Sequence, residues 1–143
     1  MERKEFIKTC GLACLAASFG GLMLEGCASI KPVTGELVEN SLVVPLAAIE
    51  PPNKPPRQYV VVQHEKLRFP ICVYRFSETQ YTTLLMRCTH QGAELQVFGD
   101  RLQCPAHGST FSNKGLVQTG PADTNLRSFP VTILKDQLRI TLS

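Results

Sequence analysis

The sequence lacks a strong charge of either sign, an apolar run long enough to cross a membrane, and the residue sets of the common hydrolases. Its formal net charge is only +3 over 143 residues, and no Lys/Arg cluster indicates a phosphate-binding face, so nucleic acid is not an expected partner. The longest apolar run, residues 10–24, covers fifteen residues, whereas a membrane-spanning helix needs about 20. The absence of a nucleotide-binding loop, a Ser-His-Asp set and paired carboxylates argues against an enzyme that acts alone.

The six cysteines do not form a disulfide framework. Cys10, Cys14 and Cys27 lie in the N-terminal segment, and two others belong to the motifs described below. Cys72 is left without a partner in a strand-like run, where a free cysteine is most often a small buried hydrophobe. We therefore expect no structural disulfide in the folded domain.

Four candidate metal ligands lie close together in the second half of the chain. The motifs Cys88-x-His90 and Cys104-x-x-His107 each contain one cysteine and one histidine, with thirteen residues between His90 and Cys104. This window holds two of the three histidines of the chain. Thiolate and imidazole ligands that converge from two loops predict a metal site.

Two kinds of metal centre suit this donor set. A structural zinc site accepts two thiolates and two imidazoles in a tetrahedron, but zinc motifs usually pair Cys with Cys and His with His. Here each motif carries one of each. A [2Fe–2S] cluster with two Cys on one iron and two His on the other needs this mixture, because each loop must reach both irons.

The two motifs resemble the cluster loops of Rieske iron–sulfur proteins. The likeness includes Gly92 in the first loop and Gly108-Ser109 in the second. Residues 120–122, Gly-Pro-Ala, are similar to the third, proline-containing loop that covers the cluster in this family. The resemblance extends from about Leu37 to the C-terminus.

The resemblance implies one [2Fe–2S] cluster per chain. Cys88 and Cys104 would bind one iron, His90 and His107 the other, and Ser109 would bond a bridging sulfide. The histidine edges would face solvent and pass electrons to a redox protein partner.

Three positions differ from the Rieske subunits of cytochrome bc complexes. Those subunits carry an additional, disulfide-forming Cys in each loop, where this chain has Ala93 and Ala106. They also tend to carry a Tyr that bonds a ligand sulfur, where this chain has Phe111. In these respects the loops are more similar to Rieske ferredoxins and to the Rieske domains of oxygenases.

The N-terminal segment indicates export and membrane attachment. Residues 1–26 have a basic start and a short apolar run, as signal peptides do, and Leu24-Glu25-Gly26-Cys27 resembles a lipoprotein cleavage site. The mature protein would begin at Cys27, with lipid that holds it in the membrane facing the periplasm or the cell exterior, and residues 27–40 would form a tether. Arg3-Lys4 resembles a twin-arginine signal, a route that exports folded proteins. An ordinary Sec lipoprotein signal and an uncleaved anchor helix are the alternatives.

The rest of the chain predicts an all-β domain over residues 41–143, in agreement with the antiparallel sheets and small cluster-binding subdomain of the family. Period-two and β-branched patterns predict strands, and no convincing helix follows the signal. The run 81–87 leads into Cys88, and a hairpin about Gly99-Asp100 leads into Cys104. The predicted strands are 42–46, 59–63, 71–76, 81–87, 94–98, 101–103, 128–134 and 137–142.

Three functions follow as hypotheses. The first is an exported, membrane-anchored carrier of one electron between redox partners, free or as the small subunit of an oxidoreductase. The second is the Rieske subunit of a quinol-oxidising cytochrome bc-type complex. The third is a structural zinc module without redox function.

Overall fold

The computed structural model describes residues 30–143, which form short strands joined by turns and one 3-10 turn, Leu46–Ala48. The predicted signal and Cys27 lie outside the described residues. Within residues 30–143 there is no helix long and apolar enough to cross a membrane. The strands are β1 (Val33–Thr34), β2 (Glu36–Val38), β3 (Ser41–Pro45), β4 (Tyr59–Gln63), β5 (Ile71–Arg75), β6 (Tyr81–Leu85), β7 (Gln96–Phe98), β8 (Arg101–Gln103), β9 (Thr110–Ser112), β10 (Val117–Thr119), β11 (Ser128–Phe129), β12 (Val131–Leu134) and β13 (Gln137–Thr141).

These strands form three sheets. The central sheet has the order β1-β4-β5-β6-β11, the outer sheet β12-β13-β3-β2, and the small sheet β10-β9-β8-β7. Strands β1 and β4 pair in parallel, and the other pairs of named strands are antiparallel. The predicted all-β class, with antiparallel sheets and a small subdomain, is confirmed.

The central sheet buries both of its faces, which explains the uninterrupted apolar run in β5. Val73 points toward the outer sheet and shares a core with Val44 and Ile140. Its neighbour Cys72 points to the opposite face and shares a second core with Phe111. A side chain buried this fully contributes about 1.5–3 kcal/mol, so the small sheet is fixed to the rest of the domain by apolar packing.

Cys72 is a buried thiol, as predicted. Its side chain is fully enclosed, and burial raises the pKa of the thiol well above its ordinary value. A protonated thiol in such surroundings packs as a small apolar group. No disulfide involves Cys72, Cys88 or Cys104.

The prediction of a single strand over residues 128–134 is wrong. The chain forms β11 with β6 of the central sheet, then leaves it at Pro130 and forms β12 with β13 of the outer sheet. Proline lacks the N–H that a continuous ladder needs. The carbonyl of Pro130 accepts a hydrogen bond from Thr141 N–H at 2.9 Å, which anchors the crossing point.

The segment predicted as a tether, residues 27–40, is partly folded into the domain. Val33 pairs with Val62 of β4, and Leu37 pairs with Leu42 of β3. Gly35 between the two strands is buried, and a Cβ there would lie 2.6 Å from the Leu42 side chain. The folded domain therefore begins by residue 33 rather than at residue 41.

Candidate metal centre

Two strand ends deliver the two predicted ligand loops to the same region. Strand β6 runs through Met86 and Arg87 into Cys88, and β8 runs directly into Cys104. The intervening hairpin of β7 and β8 turns at Gly99, as predicted, with φ of +60°. Because β6 and β8 lie in packed sheets, both loops start from rigid elements, which a preorganised metal site requires.

The first loop, residues 88–93, is closed by its own backbone. Cys88 N–H donates to the Ala93 carbonyl at 2.8 Å, and Gly92 N–H donates to the Cys88 carbonyl at 2.9 Å. Gly92 has φ of +79°, a left-handed conformation that glycine adopts without steric cost. The loop therefore bends sharply between Cys88 and Ala93, with His90 at its tip.

The second loop, residues 104–109, repeats this arrangement. Cys104 N–H donates to the Ser109 carbonyl at 2.8 Å, Gly108 N–H donates to the Cys104 carbonyl at 3.0 Å, and Gly108 has φ of +80°. The cysteine comes first and the glycine fifth in both loops, but the histidine is third in one and fourth in the other. The two loops thus share one backbone arrangement, and each presents one cysteine and one histidine.

The four candidate ligands divide into a buried pair and an exposed pair. Cys88 is 2% exposed and Cys104 is 1% exposed, whereas His90 and His107 lie at the surface. The centroids of the two imidazole rings are 5.0 Å apart and their planes are perpendicular, at 89°. The two thiols therefore stand in the protein interior, and the two imidazoles stand together at the surface.

The pKa of the Cys104 thiol lies below its ordinary value. Burial raises the pKa of this thiol, but the N–H groups of His107 and Ala106, together with the Cys88 side chain, outweigh burial and lower it. Hydrogen bonds that favour the thiolate favour the form that binds metal. The surroundings of Cys104 therefore favour its thiolate form.

A third segment is hydrogen-bonded to both ligand loops. Ala122 N–H donates to the Ser109 Oγ at 3.0 Å, and the Thr89 hydroxyl donates to the Thr124 carbonyl at 2.6 Å. Ser109 is fully buried. The predicted proline-containing segment, residues 120–122, thus lies against the second loop, and its continuation at Thr124 lies against the first.

Sequence reasoning missed the role of Thr89. A hydroxyl-bearing residue between two ligands was the available signal, but its partner is a backbone carbonyl that the sequence does not reveal. The burial of Phe111 was not predicted either. Its side chain is fully buried in the core that contains both cysteines. The remaining buried members of this core are Cys72, Tyr74, Leu84, Met86, Leu95, Leu102, Ala122 and Leu126.

The donor set fits a cluster of two irons. Two buried thiols would supply one pair of ligands and two exposed imidazoles the other, which is the division that a Rieske [2Fe–2S] centre requires. In residues 30–143, no group of three or more His, Cys, Asp or Glu side chains is arranged to hold a single metal ion.

Comparison with known proteins agrees with this fit. The family model of the Rieske [2Fe-2S] domain matches residues 41–130, which is more than half of the chain. None of the curated proteins matches the sequence.

Solved structures show the same fold at low identity. The cyanobacterial plasma membrane Rieske protein PetC3 from Synechocystis PCC 6803 is 22% identical, with TM-score 0.51, covering 59% of this chain and 86% of that one. A chain from the complex of reduced oxygenase and oxidised ferredoxin in carbazole 1,9a-dioxygenase is 24% identical, with TM-score 0.54, covering 73% and 95%. The ferredoxin of carbazole 1,9a-dioxygenase from Nocardioides aromaticivorans IC177 is 15% identical, with TM-score 0.51, covering 71% and 95%.

Proposed function

The chain belongs to the Rieske [2Fe-2S] family, and on that basis we propose that it is an exported, membrane-anchored carrier of single electrons between redox partners. The family's domain binds a [2Fe–2S] cluster and transfers electrons, so the zinc alternative is set aside. The observation that carries the proposal is the pairing of two buried thiols with two adjacent surface imidazoles. A carrier with this arrangement acts either freely or as the small subunit of an oxidoreductase.

We assign Cys88 and Cys104 to one iron and His90 and His107 to the other, with one cluster per chain. The cluster, when bound, accepts and releases one electron, and the protein supplies binding, orientation and electrostatics. The two loop backbones fix the spacing of the ligands. The buried core behind the cysteines excludes water from their sulfurs.

The exposed edges of His90 and His107 are the proposed route for electrons. Both rings reach the surface, whereas the thiol side of the site is closed by protein. An electron that enters or leaves therefore has its shortest path to solvent through the imidazoles. A partner protein must approach this edge for transfer to be fast.

The alternative function is a Rieske subunit of a quinol-oxidising complex. Ala93 and Ala106 stand where those subunits carry their disulfide-forming cysteines, and Phe111 stands where they tend to carry a tyrosine, and these differences favour the carrier. The solved neighbours include a plasma membrane Rieske protein and a ferredoxin, so the fold suits a membrane-bound carrier and a free one.

The membrane anchor is proposed from Leu24-Glu25-Gly26-Cys27, which lies outside the described residues. Mass spectrometry of protein from the membrane fraction should find a mature chain that begins at a lipid-modified Cys27. An intact Met1 or an unmodified Cys27 thiol would refute the anchor.

Electron transfer is tested on the purified holoprotein. We expect reversible one-electron reduction and no chemical turnover by the chain alone. Rapid reduction by a short-chain quinol, without any other protein, would instead favour the quinol-oxidising alternative.

A further inference from the structure

We propose that a cationic cavity beside His90, flanked by Arg87 and Arg127, receives a carboxylate from an acidic face of the redox partner. This inference rests on the proposed function, because the cavity adjoins the histidine through which electrons would pass. The cavity has a volume of about 490 Å³ and lies between the first ligand loop and the segment that contains Thr124 and Arg127. It opens at the surface next to the exposed His90 ring.

Arg87 is held in place by its neighbours. Its guanidinium carbon lies 5.8 Å from the centroid of the Phe69 ring, a cation–π distance. A Cβ at position 92 would lie 3.1 Å from Arg87 Nε, so the guanidinium packs directly over the backbone of Gly92. The charge is thereby fixed against the loop that carries His90.

Arg127 is held on the other side of the cavity. Its guanidinium carbon lies 4.9 Å from the centroid of the Phe129 ring, and its Nη2 donates to the Leu142 carbonyl at 3.4 Å. Both arginines are solvent-exposed, yet aromatic contacts restrict them. Less side-chain entropy is therefore lost when an anion binds.

Neither arginine is neutralised within the described part of the chain. Among residues 30–143, the ion pair that forms joins Arg75 and Glu50, away from this cavity. Glu94 lies across from Arg87 in a β-bridge, but its carboxylate is not within ion-pair distance. Asp123 accepts a hydrogen bond from the Thr124 hydroxyl at 3.1 Å. Two positive charges thus remain available at the cavity.

The chemistry of the cavity favours a carboxylate. Guanidinium groups bind carboxylates in a planar, two-pronged geometry, and the polar residues Thr89, Gln91 and Thr124 line the same space. We assign the carboxylate to a protein, because the cavity is open and lies at the edge where a redox partner must approach. Opposite charges on the two faces would accelerate the encounter and orient the partner toward His90.

The test uses the reduced holoprotein and two small oxidants of opposite charge. Ferricyanide is anionic and tris(phenanthroline)cobalt(III) is cationic, and each takes one electron from the protein and becomes its own reduced form. Stopped-flow rates are measured at about 10 mM ionic strength, where screening extends over roughly 30 Å, and again at high salt.

We expect Arg87→Gln and Arg127→Gln to slow oxidation by ferricyanide several-fold each, on the order of threefold. The reaction with the cobalt complex should be unchanged or faster, and both differences should fade at high salt. Arg139→Gln is the matched control. It removes the same charge, but from β13 of the outer sheet, which does not line the cavity. If Arg87→Gln fails to retain the cluster, Arg127→Gln alone carries the test, and Arg87→Lys should keep the wild-type rate.

A second probe distinguishes a protein face from a free anion. A hexaglutamate peptide should slow ferricyanide oxidation of the wild type but not of the double variant Arg87→Gln/Arg127→Gln. Free glutamate at equal carboxylate concentration and matched ionic strength should not slow oxidation of the wild type. Equal inhibition by the peptide and free glutamate would overturn the assignment to a protein face. Equal losses with both oxidants, or no loss in either arginine variant, would overturn the cationic site. Failure of the wild type to reduce either oxidant would instead count against the proposed function.

Discussion

The Oγ of Ser109 accepts a hydrogen bond from the N–H of Ala122 at 3.0 Å, in a position with no solvent exposure. This bond joins the second ligand loop to the proline-containing segment. Because the oxygen accepts, the hydrogen of the same hydroxyl remains free to donate. Ser109 can therefore hold the third segment in place and donate a hydrogen bond to a cluster sulfur at the same time.

We predict that Ser109→Ala lowers the reduction potential of the cluster. Reduction adds negative charge, so a donor aimed at a sulfur stabilises the reduced form. A hydrogen bond to a charged group contributes roughly 1.5–3 kcal/mol, and ~1.4 kcal/mol corresponds to about 60 mV for one electron. Voltammetry should show that the reduction potential falls by tens of millivolts, up to somewhat more than about 100 mV. Ser109→Thr keeps the hydroxyl and is the control, and an unchanged potential in Ser109→Ala would remove the serine from this role.

We predict that Phe111→Tyr raises the potential. Phe111 is fully buried in the core that contains both cysteines, so an added hydroxyl needs an acceptor there, and a ligand sulfur is the acceptor that the family resemblance implies. The wild type, without this donor, should lie in the lower part of the ~−150 to +300 mV Rieske range. Voltammetry at one pH decides the matter. A wild-type value near the top of the range, or no upward shift with the cluster intact, would contradict the prediction.

The sequence predicted the elements whose patterns are local. The boundaries of β4 and β8 match the predicted runs. A run of valines specifies β4 and the Gly-Asp turn specifies the start of β8, and neither signal needs distant parts of the chain. Leu138 and Ile140 are buried and Gln137 is exposed, as the alternation in β13 indicated.

The elements that were missed are too short to show a pattern or depend on distant partners. Strands β1, β2, β9 and β10 have two or three residues each, too few to show a period of two, and each forms by pairing with a neighbouring strand of its sheet. The split at Pro130 depends on which sheet each half can join. The link from Thr89 to Thr124 joins residues 35 positions apart, and no motif encodes a bond to a backbone carbonyl.

We predict that Thr89→Val loosens the third segment without removing the cluster. The bond from the Thr89 hydroxyl to the Thr124 carbonyl, at 2.6 Å, would be lost at a cost of about 1 kcal/mol. Hydrogen exchange in residues 120–126 should become faster, while iron content stays the same. Thr89→Ser retains the hydroxyl and should behave as the wild type. Unchanged exchange in Thr89→Val would show that this bond does not hold the segment.

We predict that Glu50 stabilises the domain more at neutral pH than in acid. Hydrogen bonds from the Tyr81 hydroxyl and Arg75 Nε, both at 2.6 Å, lower the pKa of the carboxyl. A lowered folded-state pKa gives stability that is present above the unfolded value, about 4.3, and is lost as the pH falls through the folded value.

Glu50→Gln should therefore cost about 1 kcal/mol at pH 7 and less at pH 3. Thermal unfolding of the wild type and variant at both values measures the difference. An equal deficit at the two pH values would mean that the charge on Glu50 is not the stabilising feature. The pKa of Tyr81 is raised to about 12, so the tyrosine stays neutral over this range and does not confuse the comparison.

The central claim is that Cys88, Cys104, His90 and His107 together hold one [2Fe–2S] cluster, and its most direct test is spectroscopy combined with metal analysis. Protein produced with sufficient iron should contain about two irons and two sulfides per chain. After reduction, pulsed electron paramagnetic resonance should detect nitrogen couplings from two histidine ligands. Serine at either cysteine, or alanine at either histidine, should abolish this signal. Stoichiometric zinc without iron, or a reduced cluster with no histidine nitrogen coupling, would contradict the account.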